Sequence, residues 1–583
     1  MKIQTALIGL FCCLYLQTWS QTETNPNIVL ILVDDSGLMD FGSFGGEAST
    51  PNIDQLAKEG MMFTNFHASP VCSPSRAMLM TGTDSHLAGV ANLPEMLPSG
   101  YENEPGYGGV LNNRVQTIAT RLKEVGYNTY IAGKWHLGHD ENTLPSARGF
   151  DRSFILGASG ADNYEAKGYL PMKATAQWYA DGKKTDLPDD FYSSKDYINQ
   201  TIGFHELEQN KEAPFFAYIA FQAIHAPIQA PKRFVEPYLD LYKEGWSVLR
   251  LKRFEKAKEM GIIPASALMN EMFPQFKKWE QLTQAEKDGY ATDMAVTAGM
   301  LDAMDYYIGR YINYLKEKDL YENTIFVVTS DNGPDGGNFK GNAVMRKWQE
   351  KHGYHSDLKR VGEKGYFGTL GPEFALAAAS PFSFFKYYTG EGGVRTPLII
   401  SGKHIPSGQR SNSFCFITDI VPTILELVGM EPKSNNLYEP ITGKSLLPHI
   451  LDSDIPIYDE NEGVGLEVAN SSAYYLGDFK IVKNNIPLGD NEWHMYNLKN
   501  DPGETKDISE ELPEKFNKLM KAYEEYAKAV GVIEMEEGYS AEGEVGKKSA
   551  IKIIQSNAIY IVGLLVLVIG LFWLWRKRKN NHV

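Results

Sequence analysis

Five short segments of the chain each contain a run of apolar residues without the alternation that marks a strand exposed on one face. They lie at 27–33, 128–132, 215–221, 324–329 and 396–401. Runs of this kind, rich in β-branched and aromatic residues, are typical of strands covered on both faces. Helical patterns lie between them, including 115–125 and 293–318. The alternation predicts an α/β fold with a large mixed, mostly parallel sheet sandwiched by helices.

The carboxyl-terminal part of the chain has a different pattern. From about residue 466, short strand-like segments precede a helical pattern near 513–529. We therefore predict a main domain over 25–465 and a smaller α+β subdomain over 466–533. The next segment, 534–557, is polar and rich in Glu and Gly at its start, which favours a linker.

The amino-terminal residues 1–20 combine an early lysine, an apolar run and a polar end, which is the pattern of a secretory signal peptide. The composition of the rest is that of a globular protein, since the 583 residues are 43% hydrophobic and 22% charged. A formal net charge of −16 argues against a nucleic acid partner, because phosphate backbones are held by clustered Lys and Arg.

An uncharged stretch near the carboxyl terminus, 558–575, is close to the lower length limit for a transmembrane helix. It ends in Trp573 and Trp575, and the basic tail 576–583 begins immediately after it. We predict that this helix anchors a body secreted across the inner membrane, with the main domain facing the periplasm or the exterior. A buried core helix and a removable sorting tail are the alternatives.

Two cysteines remain once a signal peptide is removed, too few for the disulfide framework of a small secreted domain. Cys415 lies in an apolar run and fits a buried small hydrophobe, with a Cys72–Cys415 bridge as the alternative. Cys72 precedes a proline and a predicted helix start, where anionic ligands and thiolates are stabilised.

Polar side chains follow several of the predicted strands. Because ligands collect beyond the carboxyl ends of strands in open α/β sheets, distant residues can meet there. An Asp pair after a strand would serve equally well as a helix cap, but hard oxygen ligands suit calcium or magnesium rather than a soft metal. The residues that follow strands in this way are Asp34, Asp35, Lys134, His136, His225, Asp331 and Asn332.

Two segments resemble the sulfatase family. Residues 72–76 read Cys-Ser-Pro-Ser-Arg and are followed, after four mostly apolar residues, by Thr81-Gly82, which is similar to the family's C-x-P-S-R signature. A second signature is matched at 126–136. The resemblance spans about 27–509, and its bacterial arylsulfatase branch is the most similar. It implies an alkaline-phosphatase-like fold in which 25–465 is the catalytic domain, and hydrolysis of aryl, alkyl or carbohydrate sulfate esters.

The resemblance also implies the catalytic groups. Cys72 would be oxidised to formylglycine by a separate maturation enzyme. One hydroxyl of the hydrated aldehyde attacks sulfur, and deprotonation of the other expels sulfate. One Ca²⁺, with Mg²⁺ the less favoured ion, would be bound by Asp34, Asp35, Asp331 and Asn332.

Positive and proton-transferring groups complete this predicted site. Arg76 lies one helical turn after Cys72 and can face the same site. By resemblance, Lys134 and His136 bind the nucleophile and sulfate, and His136 is the favoured base for sulfate release. His225 would contact the ester and assist the leaving oxygen. Lys386 precedes a Glu-Gly-Gly run that is similar to the segment after the family's last active-site lysine.

Two other functions are consistent with these motifs. A phosphonate or phosphate monoester hydrolase would use a related metal site and the same modified cysteine, and a membrane-tethered binding protein could keep the fold without catalysis. The turn 501–504, Asp-Pro-Gly-Glu, resembles a recurrent turn of the family's carboxyl-terminal subdomain, where it is structural.

Overall fold

The computed structural model describes residues 25–337, 343–432, 437–536, 538–556 and 569–572. The strands are β1 (Asn27–Val33), β2 (Gly60–His67), β3 (Asn128–Lys134), β4 (Arg152–Leu156), β5 (Lys167–Leu170), β6 (Lys173–Thr175), β7 (Trp178–Ala180), β8 (Lys183–Thr185), β9 (Phe215–Ala220), β10 (Thr324–Ser330), β11 (Arg395–Gly402), β12 (Gln409–Ser411), β13 (Cys415–Phe416), β14 (Gly463–Val468), β15 (Ser471–Leu476), β16 (Phe479–Lys483) and β17 (Trp493–Asn497).

The helices pack on the sheets or connect their strands. They are α1 (Pro51–Glu59), α2 (Cys72–Thr81), α3 (Ile118–Glu124), α4 (Ser193–Leu207), α5 (Lys232–Val235), α6 (Trp246–Glu259), α7 (Gln284–Glu317), α8 (Ala343–Lys351), α9 (Gly371–Ala378), α10 (Glu391–Val394), α11 (Ile420–Leu427), α12 (Leu447–Leu451), α13 (Pro513–Val530) and α14 (Ala541–Ser556).

A mixed sheet forms the centre of the main domain, in the order β12-β2-β11-β10-β1-β9-β3-β4-β7-β8, with β13 paired to β2. The central strands from β10 to β4 are parallel, whereas β11 runs antiparallel to both β10 and β2. The predicted mixed, mostly parallel sheet is thus confirmed. All five predicted strands are present, with ends that differ by at most two residues.

Both faces of the sheet are covered. Along β1, Ile28, Leu30 and Leu32 pack into one core with α2, α3 and α11, while the alternate residues pack into a second core with α1, α4 and α7. Every residue of β1 is buried, which explains why its sequence shows no polar alternation.

The longest helix begins earlier than its apolar pattern predicted, at Gln284 instead of 293. Its first turns are polar, so hydrophobic periodicity does not reveal them. The start is fixed by a capping box, in which the Thr283 hydroxyl accepts from the Glu286 N–H and the Glu286 carboxylate accepts from the Thr283 N–H.

The carboxyl-terminal subdomain is an antiparallel sheet, β14-β15-β16-β17, against which α13 packs. The segment predicted to be a linker contains the helix α14. Among the described residues, no helix is both long and apolar enough to cross a bilayer. The predicted signal peptide 1–20 and tail 576–583, and most of the predicted span 558–575, lie outside the described residues.

Cys72 and Cys415 are both buried free thiols, so the alternative of a bridge between them is not formed. Cys415 lies in β13 and is fully buried, as expected of a small apolar residue.

A buried histidine joins the subdomain to the main domain. His86 Nε2 lies 3.0 Å from Glu467 Oε2 on β14, and His86 Nδ1 lies 3.3 Å from Asp84 Oδ1. Burial opposes protonation, but hydrogen bonds with Asp84 and Glu467 outweigh it and raise the pKa of His86 to about 9. Because the folded-state pKa is the higher one, this stabilisation is complete below the ordinary value of 6.5 and is lost as pH rises through about 9.

We therefore expect the free energy of unfolding to fall by roughly 2 to 3 kcal/mol as pH is raised across this interval. Urea unfolding at a series of pH values measures it. His86→Gln should flatten the dependence, and an unchanged slope in that variant would rule out His86 as its source.

Candidate active site

Nine of the ten predicted site residues meet at one edge of the central sheet. Strands β10, β1, β9 and β3 are neighbours and parallel, so the residues after their carboxyl ends converge. Residues from distant parts of the sequence therefore form one buried cluster, whose members are Asp34, Asp35, Cys72, Arg76, Lys134, His225, Asp331, Asn332 and Lys386.

Three carboxylates and the thiol form the centre of the cluster. One ligand atom from each of Asp34, Asp35, Cys72 and Asp331 lies within 4.8 Å of the others. Cys72 Sγ is 3.4 Å from Asp34 Oδ1 and 3.8 Å from Asp35 Oδ1. Position 72 is thus placed directly against the acidic side chains by the start of α2.

Asn332 extends the set of oxygen atoms. Its Nδ2 donates to Asp35 Oδ1 at 2.7 Å and to the Gly333 carbonyl at 2.8 Å. Its Oδ1 is buried and has no hydrogen-bond partner within the described part of the chain. A buried amide oxygen without a donor is unfavourable by itself and fits a site that holds a cation.

Each carboxylate is paired with a different buried cation. Arg76 Nη2 lies 2.7 Å from Asp331 Oδ2, and Lys134 Nζ lies 2.6 Å from Asp34 Oδ2. Lys386 Nζ lies 2.7 Å from Asp35 Oδ1. Because buried charges are costly unless paired, these contacts let three carboxylates share one buried cluster.

The surroundings shift the protonation of several groups. Burial raises the pKa of the Cys72 thiol well above its ordinary value, although Lys134 and Lys386 act in the opposite direction. Burial also raises the pKa of Asp331, to about 6, with help from Asp34. For Asp35 burial is the largest influence, yet the combined charges of Lys386, His225 and Lys134 lower its pKa below the ordinary value.

The two predicted site histidines, His136 and His225, are both buried. His225 Nδ1 donates to the Ala226 carbonyl at 2.6 Å, which leaves Nε2 facing Asp35 Oδ2 at 3.8 Å. Burial, together with the Lys386 charge, lowers the pKa of His225 to about 4. His136 lies two residues beyond the end of β3, in the left-handed backbone region with φ of 56°.

Lys386 lies in a segment whose backbone contacts the neighbours of Asp331 and of Cys72. The Lys386 N–H donates to the Pro334 carbonyl at 3.0 Å, and the Tyr387 N–H donates to the Pro70 carbonyl at 2.8 Å. The Glu-Gly-Gly run after it requires glycine, because a Cβ at Gly393 would lie 2.1 Å from the Tyr388 carbonyl oxygen.

One acidic residue at this site was missed by sequence reasoning. Asp335 Oδ2 lies 3.6 Å from Lys386 Nζ, and Asp335, Asp35 and His225 form a second group of closely spaced ligand atoms. Asp335 also lines a small cleft with Ile228 and Leu370. Its position four residues after Asp331, on the same loop, was the available signal.

Comparison with known proteins gives consistent matches. The Sulfatase family model matches residues 26–430. An uncharacterized sulfatase from Schizosaccharomyces pombe is 34% identical over 539 residues, covering 89% of this chain and 96% of the relative. An arylsulfatase from Klebsiella aerogenes is 32% identical over 424 residues, covering 72% of this chain and 90% of the relative.

A solved structure resembles the fold as well. It is that of a protein in complex with its substrate D-glucosamine-2-N,6-O-disulfate, with a TM-score of 0.59, 22% identity, and coverage of 88% of this chain and 100% of that chain. The similarity agrees with the large mostly parallel sheet described above.

Proposed function

The chain belongs to the sulfatase family, and we propose that it hydrolyses sulfate monoesters with a formylglycine formed from Cys72 and one bound Ca²⁺. The activity in its coarser form, sulfate ester hydrolysis by a sulfatase enzyme, follows from the family and its relatives. The nucleophile, the ion and the role of each residue are parts of the proposal.

One observation carries this assignment. Position 72 lies against two carboxylates of a fully buried cluster, and every carboxylate of that cluster contacts its own buried cation. The core of an ordinary globular domain has no use for six buried charges around one cysteine. Such charges are needed in a site that must stabilise an anionic ester and an ionised nucleophile.

The donor set fits calcium. Three carboxylates and the Asn332 amide oxygen are hard ligands, and Asn332 Oδ1 has no donor among the described residues. The three carboxylates balance the three cations, so a bound divalent ion would leave the cluster positive. A positive cluster favours a sulfate ester, which carries one negative charge.

The chemistry needs little more than these groups. Formylglycine at position 72 supplies, as its hydrate, one hydroxyl to attack sulfur and a second whose deprotonation re-forms the aldehyde and releases sulfate. A calcium ion would supply charge that stabilises the ionised hydroxyl and the sulfate oxygens. As the bond from this hydroxyl oxygen to sulfur forms, the bond between sulfur and the ester oxygen breaks, and the alcohol leaves with the proton that the attacking hydroxyl has lost.

The chain's own cations orient the reacting groups. We assign contacts with the sulfate oxygens to Lys134 and Lys386, which lie against Asp34 and Asp35. Arg76, bound to Asp331, is assigned to orient the hydrated aldehyde. We assign the proton transfer that releases sulfate to His136. His225, whose Nδ1 donates to a backbone carbonyl, is assigned to accept the proton of the attacking hydroxyl at Nε2 and to pass it to the leaving oxygen.

Secretion and membrane anchoring through 558–575 belong to the same proposal, as does maturation by a separate oxidising enzyme. The signal-peptide pattern and the basic tail support the first. Maturation by an oxidising enzyme is supported by the position of Cys72 at the start of a helix, in its first turn.

Substrate comparison tests the function. We expect the matured protein to hydrolyse 4-nitrophenyl sulfate with a higher kcat/KM than 4-nitrophenyl phosphate or a phosphonate monoester analogue. The leaving group is identical, so the ratio reports the choice between sulfur and phosphorus. Faster turnover of a phosphorus ester would establish the alternative, a phosphonate or phosphate monoester hydrolase, and turnover of none would indicate a binding protein.

A further inference from the structure

A second buried charge cluster lies where the carboxyl-terminal sheet meets the segment that carries Lys386. We call residues 383–394 the Lys386 segment. Glu391 is at the centre of the cluster, and its carboxylate contacts Lys480 Nζ at 2.9 Å and His67 Nε2 at 3.0 Å. Tyr475 Oη donates to the same carboxylate at 3.2 Å. None of these groups belongs to the catalytic cluster.

Two subdomain residues hold the Lys386 segment directly. Lys480 Nζ donates to the Thr389 carbonyl at 2.7 Å and pairs with Glu504 Oε1 at 2.7 Å. Glu504 Oε2 in turn accepts from the Glu391 N–H at 2.9 Å. Lys480 lies on β16 and Glu504 in the 501–504 turn, so both belong to the subdomain.

Thr389 adds a third contact to this interface. Its N–H donates to Asn484 Oδ1 at 2.8 Å, and its hydroxyl donates to the Ser472 carbonyl at 3.0 Å. Thr389, Lys480 and Glu504 are all buried. The subdomain therefore fixes both the backbone and the side chains of the segment three to five residues after Lys386.

The backbone around Lys386 needs such support. Phe384 and Tyr387 both adopt left-handed conformations, with φ of 65° and 80°. These conformations are unfavourable for residues other than glycine and persist only where the surroundings impose them. On its other side the segment contacts Pro70 and Pro334, so a displacement there would also move the neighbours of Cys72 and Asp331.

We propose that Lys480 and Glu504 are positioning residues that set the place of the Lys386 ammonium group in the active site from the carboxyl-terminal subdomain. This inference rests on the proposed function, because it assigns Lys386 to sulfate binding. It also gives the 501–504 turn a role in catalysis beyond structure.

Polar contacts suit this role better than apolar packing would. Apolar contacts would allow the segment to shift along the subdomain surface. Charge-assisted hydrogen bonds to a carbonyl, a carboxylate and an N–H fix the distance and orientation of the segment relative to the subdomain. The two carboxyl groups of Glu391 and Glu504 face two cations, Lys480 and Arg395. Burial lowers the pKa of His67, which favours its neutral form. Burial, together with the Glu391 charge, raises the pKa of Glu504 to about 7.

Glu504→Gln tests the proposal with minimal change of shape. The amide can still accept from the Glu391 N–H, but its NH2 group then faces the Lys480 ammonium instead of a carboxylate. We expect kcat/KM for 4-nitrophenyl sulfate to fall by about ten- to a hundred-fold, the loss typical of a displacement near 1 Å. Glu504→Asp, which keeps the charge, should recover part of the activity.

Glu467→Gln is the matched control. Glu467 is also a buried subdomain carboxylate bound to a main-domain histidine, His86, and its ion pair and hydrogen bonds in the described part of the chain go to His86 and Asn470, outside the Lys386 segment. It should lower the thermal midpoint as Glu504→Gln does and leave kcat/KM unchanged. An equal loss of activity in both variants would mean that general destabilisation, and not positioning, is responsible.

A double-mutant cycle with Lys386→Gln separates the remaining outcomes. If Glu504 acts through Lys386, Glu504→Gln should cost little further activity in the Lys386→Gln background. The same fold loss in both backgrounds would overturn the proposal, as would full activity of Glu504→Gln. Failure of the wild-type protein to hydrolyse any sulfate ester would instead overturn the proposed function.

Discussion

Cys72→Ala is expected to lower sulfate ester hydrolysis by about six orders of magnitude, as observed when a covalent nucleophile is removed. The reason is that alanine cannot be oxidised to an aldehyde, and no hydroxyl would then face sulfur from position 72. The cations, together with the ion that the carboxylates would hold, would still bind the anionic ester, so binding should be affected far less than turnover. Steady-state assays with 4-nitrophenyl sulfate measure the loss.

Cys415→Ala is the control for this experiment. Both cysteines are buried free thiols, but Cys415 lies in β13, where its Sγ contacts the Asn65 carbonyl at 3.9 Å. Both variants should fold and be secreted, and each should lose only the modest stability of a small cavity. Loss of activity in Cys72→Ala alone supports the mechanism. Full activity in Cys72→Ala would end it.

Removal of the metal is expected to have the second largest effect. Charge stabilisation by a bound ion is worth several kcal/mol in the transition state, so kcat should fall by about a thousand-fold or more after chelation. Calcium should restore activity more fully than magnesium. Calcium accepts irregular sets of oxygen ligands such as these carboxylates and the amide, whereas magnesium requires nearly ideal octahedral geometry. Chelation and titration back with each ion measure this.

The fold should survive the same treatment. Without an ion, the three carboxylates remain paired with Arg76, Lys134 and Lys386, so no net charge is left buried. We expect thermal unfolding of the chelated protein to stay cooperative, with a lower midpoint. Activity that is unaffected by exhaustive chelation would contradict a metal-dependent mechanism. Unfolding of the chelated protein would show that Arg76, Lys134 and Lys386 alone cannot stabilise the buried carboxylates.

Much of this site could be predicted because strand ends and motifs are local features. Uninterrupted apolar runs located β1, β3, β9 and β10, and the residues that follow them lie together as expected. The position of Lys386 in the cluster was predicted from its spacing to the Glu-Gly-Gly run, and the structure places it against Asp35.

Long-range contacts are what the sequence could not provide. Nothing near Lys480 or Glu504 indicates that both reach Glu391, since those contacts depend on how the subdomain docks. For the same reason the 501–504 turn was expected to be structural only. Asp335 was passed over because a single acidic residue in a loop is uninformative until Lys386 is placed beside it.

The mass of the peptide that contains residue 72, from protein made in its native host, tests the proposed nucleophile most directly. We predict that the CH2–SH group of Cys72 is replaced by an aldehyde, so the peptide is lighter than the encoded sequence by the difference between these groups. The modified fraction should rise in proportion to specific activity. An unmodified cysteine in preparations that hydrolyse sulfate esters at full rate would contradict the mechanism.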